Sequence, residues 1–119
     1  MTEVKTWTGG CHCGRVRYEV ESDLQALISC NCSICQKRGL ILTFVPQSKF
    51  HLLSGEDALT DYQFNKKAIH HVFCATCGVE SFATGEKPGG GPMVAVNVRC
   101  LDGIDAAELK PRLVDGKSL

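Results

Sequence analysis

The sequence predicts a mainly β protein of 119 residues, with small antiparallel sheets folded over each other in a single domain spanning residues 1–119. Apolar residues alternate strictly with charged ones over residues 15–21, which is the period of a half-buried strand. Short apolar segments recur along the rest of the chain, and turns rich in Gly and Asn separate them. Hydrophobic residues make up 44% of the chain, which supports a modest core.

The strands are predicted, in chain order, at residues 15–21, 26–30, 40–45, 49–53, 59–64, 69–73, 80–83 and 92–101. Pro46 ends the third of them, because proline cannot donate to a strand ladder. Turns are predicted at residues 54–55, 65–67 and 85–91. Only residues 105–110 have a helical pattern, with Asp105 as a possible N-cap and Pro111 as a stop signal.

The charge balance argues against nucleic-acid and membrane partners. Thirteen Lys and Arg residues are matched by 13 Asp and Glu residues, so there is no net positive charge to attract phosphate groups. Residues 1–10 contain no apolar run of the kind found in a signal peptide or a membrane-spanning helix. We therefore expect a cytoplasmic protein, whose reducing surroundings favour metal binding over disulfides.

Eight cysteines are the main functional signal, and seven of them fall into three tight groups. The groups are Cys11 with Cys13, then Cys30 with Cys32 and Cys35, then Cys74 with Cys77. Spacings of C-x-C and C-x-x-C let the thiolates of one turn face one metal ion. Two pairs complete a tetrahedral structural site, whereas a group of three leaves the fourth position open, as in catalytic zinc sites. The spacing therefore predicts two zinc ions of different roles.

Three other interpretations of the cysteines remain open at this point. An even cysteine count is also typical of secreted disulfide scaffolds, although these usually follow a signal peptide. The C-x-x-C pair at Cys74 and Cys77 resembles a redox motif, but it follows a strand and precedes Gly78 rather than opening a helix. The group of three is a closed structural site if a histidine or Cys100 supplies the fourth ligand.

Cys100 is predicted to be a buried free thiol. The period of two over residues 92–101 places it on the same strand face as Val94, Val96 and Val98. We expect that face to be the core side, because the other carries Asn97 and Arg99. A free cysteine in a core behaves as a small apolar residue, and Cys100 has no neighbouring cysteine in its own turn.

The motifs resemble those of the glutathione-dependent formaldehyde-activating enzyme family, whose domain also occurs in centromere protein V. The matching stretches, in order, are Gly10-Cys11-His12-Cys13-Gly14, Cys30-x-Cys32-x-x-Cys35, His71-x-Phe73-Cys74-x-x-Cys77-Gly78, Val96-Asn97 and Leu101-Asp102. Many family members have histidine where this chain has Asn31, in the middle of the second motif. The basic N-terminal arm of centromere protein V is absent, so its chromatin role does not transfer.

The resemblance implies a mainly β, zinc-stabilised fold of tent-like sheets and the activity of an S-(hydroxymethyl)glutathione synthase, a carbon–sulfur lyase. The implied substrates are glutathione or a similar thiol and formaldehyde or another small aldehyde. The resemblance also implies the roles of the two metal sites. The structural zinc would be held by Cys11, Cys13, Cys74 and Cys77, and the catalytic zinc by Cys30, Cys32 and Cys35. The competing function is a non-catalytic, zinc-stabilised domain that binds a thiol or a protein.

Among the remaining residues, His71 is the predicted catalytic proton donor, because its position matches the family motif. His70 and His71 are neighbours on one predicted strand, so their side chains face opposite sides of the sheet. A solvated or hydrogen-bonded histidine is the competing interpretation. Lys37, Arg38 and Arg99 are candidate partners for the carboxylates of glutathione, although each also suits an ordinary surface position.

Overall fold

Ten β-strands form two sheets in the computed structural model, which describes residues 4–63, 69–86 and 91–115. The strands are β1 (Lys5–Gly10), β2 (Arg17–Ser22), β3 (Ile28–Cys30), β4 (Leu42–Pro46), β5 (Phe50–Ser54), β6 (Leu59–Tyr62), β7 (His70–Cys74), β8 (Phe82–Glu86), β9 (Pro92–Asn97) and β10 (Arg112–Val114). One short helix, α1, covers Ser33–Arg38. Single 3-10 turns cover Gln47–Lys49, Glu56–Ala58, Val98–Cys100 and Ala106–Glu108.

The strand order confirms the mainly β class. The smaller sheet has the order β1-β2-β5, and the larger has the order β10-β3-β4-β9-β8-β7-β6. Neighbouring strands are antiparallel in both sheets, except that β10 runs parallel to β3. The predicted strands between residues 15 and 83 all have an observed counterpart, with bounds shifted by a few residues.

The main core lies between the two sheets. Tyr18 and Val20 of the small sheet, together with Val16 just before β2, are fully buried against Phe82 and Val96 of the large sheet. The Tyr18 ring also stacks on Phe50 with 5.0 Å between centroids. The alternation of residues 15–21 thus places its apolar side in this core, as the sequence predicts.

A second, smaller core lies on the other face of the large sheet, under helix α1. Ile34 and Cys35 of α1 are buried there against Leu42, Ala83 and Ala95. The large sheet is therefore covered on both faces in its middle. This arrangement brings the second cysteine group onto the face of the sheet opposite to the small sheet.

The C-terminal part of β9 differs from the prediction. The strand ends at Asn97 rather than at residue 101, because the Asn97 side-chain oxygen accepts a hydrogen bond from the Arg99 N–H at 3.2 Å and a 3-10 turn follows. The expectation that Asn97 marks a solvent-facing side is wrong: Asn97 is only 6% exposed and donates through Nδ2 to the Glu80 carbonyl. Cys100 is half-buried rather than buried.

Three elements were not predicted, and one was predicted too long. Helix α1 has only six residues, too few for a helical period to emerge from the sequence. Strand β1 is largely polar, and β10 has three residues. The predicted helix at residues 105–110 is observed only as the 3-10 turn Ala106–Glu108. Phe64, the turn at residues 65–67 and most of the glycine-rich turn lie outside the described residues.

Candidate metal centres and the adjoining cavity

The first cysteine group joins two turns that are distant in sequence. Cys11 and Cys13 lie in the turn between β1 and β2, Cys74 ends β7, and Cys77 lies in the turn that follows. All four sulfur atoms lie within 4.8 Å of one another, with Cys13 Sγ 3.6 Å from both Cys11 Sγ and Cys74 Sγ. Four thiolates bound to one zinc at 2.3 Å would be about 3.8 Å apart. We call this group the cysteine tetrad, and its spacing fits a tetrahedral zinc ion.

Backbone N–H groups point at the sulfur atoms of the tetrad. Val16 donates to Cys11 Sγ at 3.3 Å, and Thr76 donates to Cys74 Sγ at 3.4 Å. Each turn is completed by a glycine with positive φ, 86° at Gly14 and 82° at Gly78. Only glycine adopts this conformation without strain, and its N–H closes the turn onto the carbonyl of the first cysteine of each pair.

The same donors favour the thiolate form. The N–H of Cys77 contributes most to lowering the pKa of Cys74 below its ordinary value. Burial acts against ionisation of Cys77, but the N–H groups of Val79 and Cys13, together with neighbouring thiols, lower its pKa to about 6. Thiolates are the form that binds metal, so the surroundings of Cys74 and Cys77 favour a bound cation.

The second group, which we call the cysteine triad, contains Cys30 at the end of β3, Cys32 just before α1, and Cys35 inside α1. Its three sulfur atoms also lie within 4.8 Å of one another. Cys32 donates its N–H to Cys30 Sγ at 3.4 Å. Burial opposes ionisation of Cys32, but the N–H of Cys35 and the thiols of Cys35 and Cys30 lower its pKa.

No fourth ligand joins the triad from the residues that the structure describes. Cys100 lies elsewhere, and its thiol donates to the carbonyl of Glu80 with 3.8 Å between sulfur and oxygen. Burial raises the pKa of the Cys100 thiol to about 11. Three thiolate donors with a vacant fourth position suit a zinc ion that also takes an exogenous ligand.

A cavity of about 580 Å³ opens beside the triad. Cys30 and Cys35 line one side of it, β10 contributes Leu113, and the turn after β9 contributes Arg99. This volume lies within the range that small-molecule sites occupy. The triad therefore faces a space that a substrate can enter.

A family model of the glutathione-dependent formaldehyde-activating enzymes matches residues 6–114. The chain belongs to this family. A solved structure of a Rhodobacter sphaeroides protein, determined in a structural genomics programme, is 32% identical and superposes with a TM-score of 0.81. That similarity covers 90% of this chain and 99% of the Rhodobacter sphaeroides chain. The fold is therefore shared with that solved structure over most of both chains.

His71, which the sequence predicts as the catalytic proton donor, lies on β7 and is 6% exposed. Its Nδ1 is 3.1 Å from Glu80 Oε2. His71 pairs across the sheet with Ala83, so it faces the side that carries α1 and the triad. It does not belong to the lining of the triad cavity. His70 faces the opposite side and contacts Asp61 at 2.7 Å.

The pair of Glu80 and Arg38 was missed by the sequence analysis. The other carboxylate oxygen of Glu80 pairs with Arg38, the last residue of α1. The Arg38 guanidinium also lies over the Phe73 ring, 5.2 Å from its centroid. Glu80 follows a C-x-x-C-G turn and belongs to no periodic pattern that would mark it as buried. Its burial also depends on α1, which the sequence did not predict. Arg38 is thus occupied within the protein, whereas Arg99 lines the cavity and Lys37 does not.

Within the described part of the chain, no helix is long and apolar enough to cross a membrane.

Proposed function

We propose that this protein is a zinc-dependent carbon–sulfur lyase that joins glutathione or a similar thiol to formaldehyde or another small aldehyde, as an S-(hydroxymethyl)glutathione synthase does. The observation that supports it most is the cysteine triad, a set of three thiols of which Cys30 and Cys35 line a cavity of about 580 Å³. The description of the matching family model, which names glutathione and the activation of formaldehyde, supports the proposal as well. The small thiol and the aldehyde are the proposed partners, and the cytoplasm is the proposed location.

The tetrad is assigned the structural zinc. Cys11, Cys13, Cys74 and Cys77 connect the β1–β2 turn to the turn after β7, and so join the small sheet to the large one. A structural zinc supplies about 10–16 kcal/mol of apparent binding free energy that is coupled to folding. For a chain with a modest core, that contribution decides whether the two sheets stay packed.

The triad is assigned the catalytic zinc. When bound by Cys30, Cys32 and Cys35, zinc would supply a site of net negative charge, which suits holding a substrate thiol as a nucleophilic thiolate rather than strongly activating water. In the overall addition a carbon–sulfur bond forms, the carbonyl π bond of the aldehyde breaks, and the thiol proton ends on the new hydroxyl oxygen. The oxidation states of sulfur and carbon require no added oxidant.

His71 is the proposed proton donor to that oxygen. Glu80 contacts its Nδ1 at 3.1 Å and thereby orients the ring, and Nε2 is the nitrogen to which we assign the proton transfer. The support for this role is that His71 shares a sheet face with the triad. Its burial gives an alternative role, in which His71 and Glu80 hold α1 in place, and His71→Gln separates the two roles.

The experiment that tests the function uses protein purified without chelator. The exchange rate between free and thiol-bound ¹³C-formaldehyde is measured by NMR with glutathione, because the uncatalysed addition also occurs. We expect acceleration by the wild type and by Cys100→Ser, a matched control outside both groups, and none by Cys32→Ser. Thiol binding without any acceleration by the wild type would instead identify a non-catalytic thiol-binding domain.

A further inference from the structure

We propose that the cavity beside the triad recognises the amino-acid end of a γ-glutamyl thiol, with Arg99 binding its α-carboxylate and Asp115 its α-ammonium group. This inference rests on the proposed function, because the sulfur of the same molecule would lie at the triad. It names the part of the substrate that the protein selects. The proposal depends on three separate segments that line one cavity: the turn with Cys30 and Asn31, the turn with Arg99, and β10 with Asp115.

Strand β10 forms one wall of the cavity, next to the triad. Parallel pairing places Val114 beside Cys30 and Leu113 beside Ser29. The Asn31 N–H also donates to the Val114 carbonyl at 3.1 Å. The strand is therefore fixed against the turn that carries Cys30 and Cys32, and side chains near its end lie close to the triad.

Arg99 supplies the positive charge of the cavity. Among the lining residues that the structure describes, it is the only cationic one. Its side chain is exposed, and within residues 4–63, 69–86 and 91–115 no carboxylate forms an ion pair with it, in contrast to Arg17 and Arg38. Its backbone is held by the hydrogen bond to the Asn97 side chain. An arginine in this position suits bidentate binding of a carboxylate.

Asp115 supplies the negative charge. Asn31 Nδ2 donates to Asp115 Oδ1 at 2.9 Å, so the residue between two triad cysteines holds the acid at the cavity. A carboxylate accepts several hydrogen bonds, and this contact is therefore compatible with an additional ammonium donor. Asn31, which stands where many family members have histidine, thus positions Asp115 in this chain.

The dimensions fit a γ-glutamylcysteine unit. A sphere of 580 Å³ is about 10 Å across. Seven bonds separate the sulfur from the glutamyl α-carbon, which is roughly 8–9 Å in an extended chain. Leu109 and Leu113 also line the cavity and provide apolar contacts for the methylene groups between these ends. One cation and one anion match the two charges of the zwitterion, whereas a thiol that carries only a carboxylate offers no ammonium group to Asp115.

The decisive probe is S-methylglutathione, whose capped sulfur cannot become a metal thiolate. Binding to zinc-loaded protein is measured by isothermal titration calorimetry. We expect Arg99→Gln to weaken the affinity about tenfold and Asp115→Asn about fivefold. The matched control is Arg112→Gln, which removes the same charge from β10 outside the cavity lining and should change nothing. Arg99→Lys should restore part of the affinity.

A second series of ligands tests which end of S-methylglutathione the cavity binds. S-Methyl-γ-glutamylcysteine should bind the wild type as well as S-methylglutathione does, whereas S-methylcysteinylglycine should bind at least tenfold more weakly. The proposal is overturned if Arg99→Gln leaves the affinity for S-methylglutathione unchanged, or if the wild type does not bind it. Failure of 2-mercaptoethanol to ligate the metal would count against the proposed function alone, because the capped ligands do not use that contact.

Discussion

Glu80 and His71 form a buried contact in which Oε2 of the carboxylate lies 3.1 Å from Nδ1 of the imidazole. The carboxylate side chain is 2% exposed, and its second oxygen pairs with Arg38 at the end of α1. A single acid thus connects the β7 strand to the helix that carries Cys35. Removing one partner of a buried ion pair leaves the other charge uncompensated and destabilises the fold. The contacts of Glu80 therefore link the stability of the fold to the geometry of the triad.

Glu80→Gln should destabilise the protein by about 1–3 kcal/mol, since it removes the charge that compensates Arg38. The free energy of unfolding of the zinc-loaded protein in urea measures this effect. Metal should also be lost from the triad at lower chelator concentration than in the wild type, because α1 is no longer fixed. Asp61→Asn, which disrupts the exposed contact with His70, is the control and should cost less than about 1 kcal/mol.

His71→Gln separates the two roles proposed for His71. A proton donor should lose turnover by about 100-fold while glutathione affinity and both metals are retained. A purely structural histidine would instead lower the melting temperature and the metal content together with the activity. The control is His70→Gln, on the opposite face of β7, which should behave as the wild type. Unchanged turnover in His71→Gln would remove His71 from the mechanism.

The two cysteine groups should respond differently to mutation. Elemental analysis should give close to two zinc ions per wild-type chain, one for each group. Cys11→Ser or Cys74→Ser should yield misfolded protein, because the tetrad joins the sheets and its metal is coupled to folding. Cys32→Ser should remain folded by circular dichroism with one zinc ion and no activity. Equal solubility and equal metal loss in these variants would contradict the division of roles.

Glutathione should ligate the metal of the triad through sulfur. In cobalt-substituted protein, a thiolate-to-metal charge-transfer band should strengthen when glutathione is added, because a fourth sulfur joins the three of the triad. S-Methylglutathione should leave the band unchanged and serves as the control. If saturating glutathione also leaves the spectrum unchanged, the triad is better described as a closed structural site.

Cys100 should be dispensable for metal binding. Cys100→Ala should retain two zinc ions and full activity, at a stability cost of about 1 kcal/mol. Because burial raises its pKa to about 11, the thiol is protonated at pH 8, and its alkylation should accelerate about tenfold per pH unit up to pH 10. Mass spectrometry of the zinc-loaded protein after iodoacetamide treatment measures that rate. Loss of one zinc ion in Cys100→Ala would make Cys100 a ligand.

Local spacing was sufficient to predict which cysteines share a turn. In a C-x-C or C-x-x-C segment the geometry depends on a few neighbouring residues, and the glycines at positions 14 and 78 complete it. The strand at residues 15–21 was equally predictable, since consecutive residues alternate between apolar and charged. The mainly β class followed from such local signals and is confirmed.

Contacts between distant segments depended on the tertiary structure. Packing of the two sheets brings Cys74 to Cys13, 61 positions away, and pairing of β10 with β3 sets Asp115 against Asn31, 84 positions away. Both faces of the large sheet are covered, so Asn97 is buried although its polarity favours an exposed side. Helix α1 is too short to show a helical period in the sequence, yet it places Arg38 where it pairs with Glu80. Arg99, by contrast, lines the cavity. Sequence by itself determined which cysteines share a turn, because a turn is a local structure. Only the packing of the sheets decided which group faces a cavity and which charges surround it, because those distances are set by chain segments that are far apart in sequence.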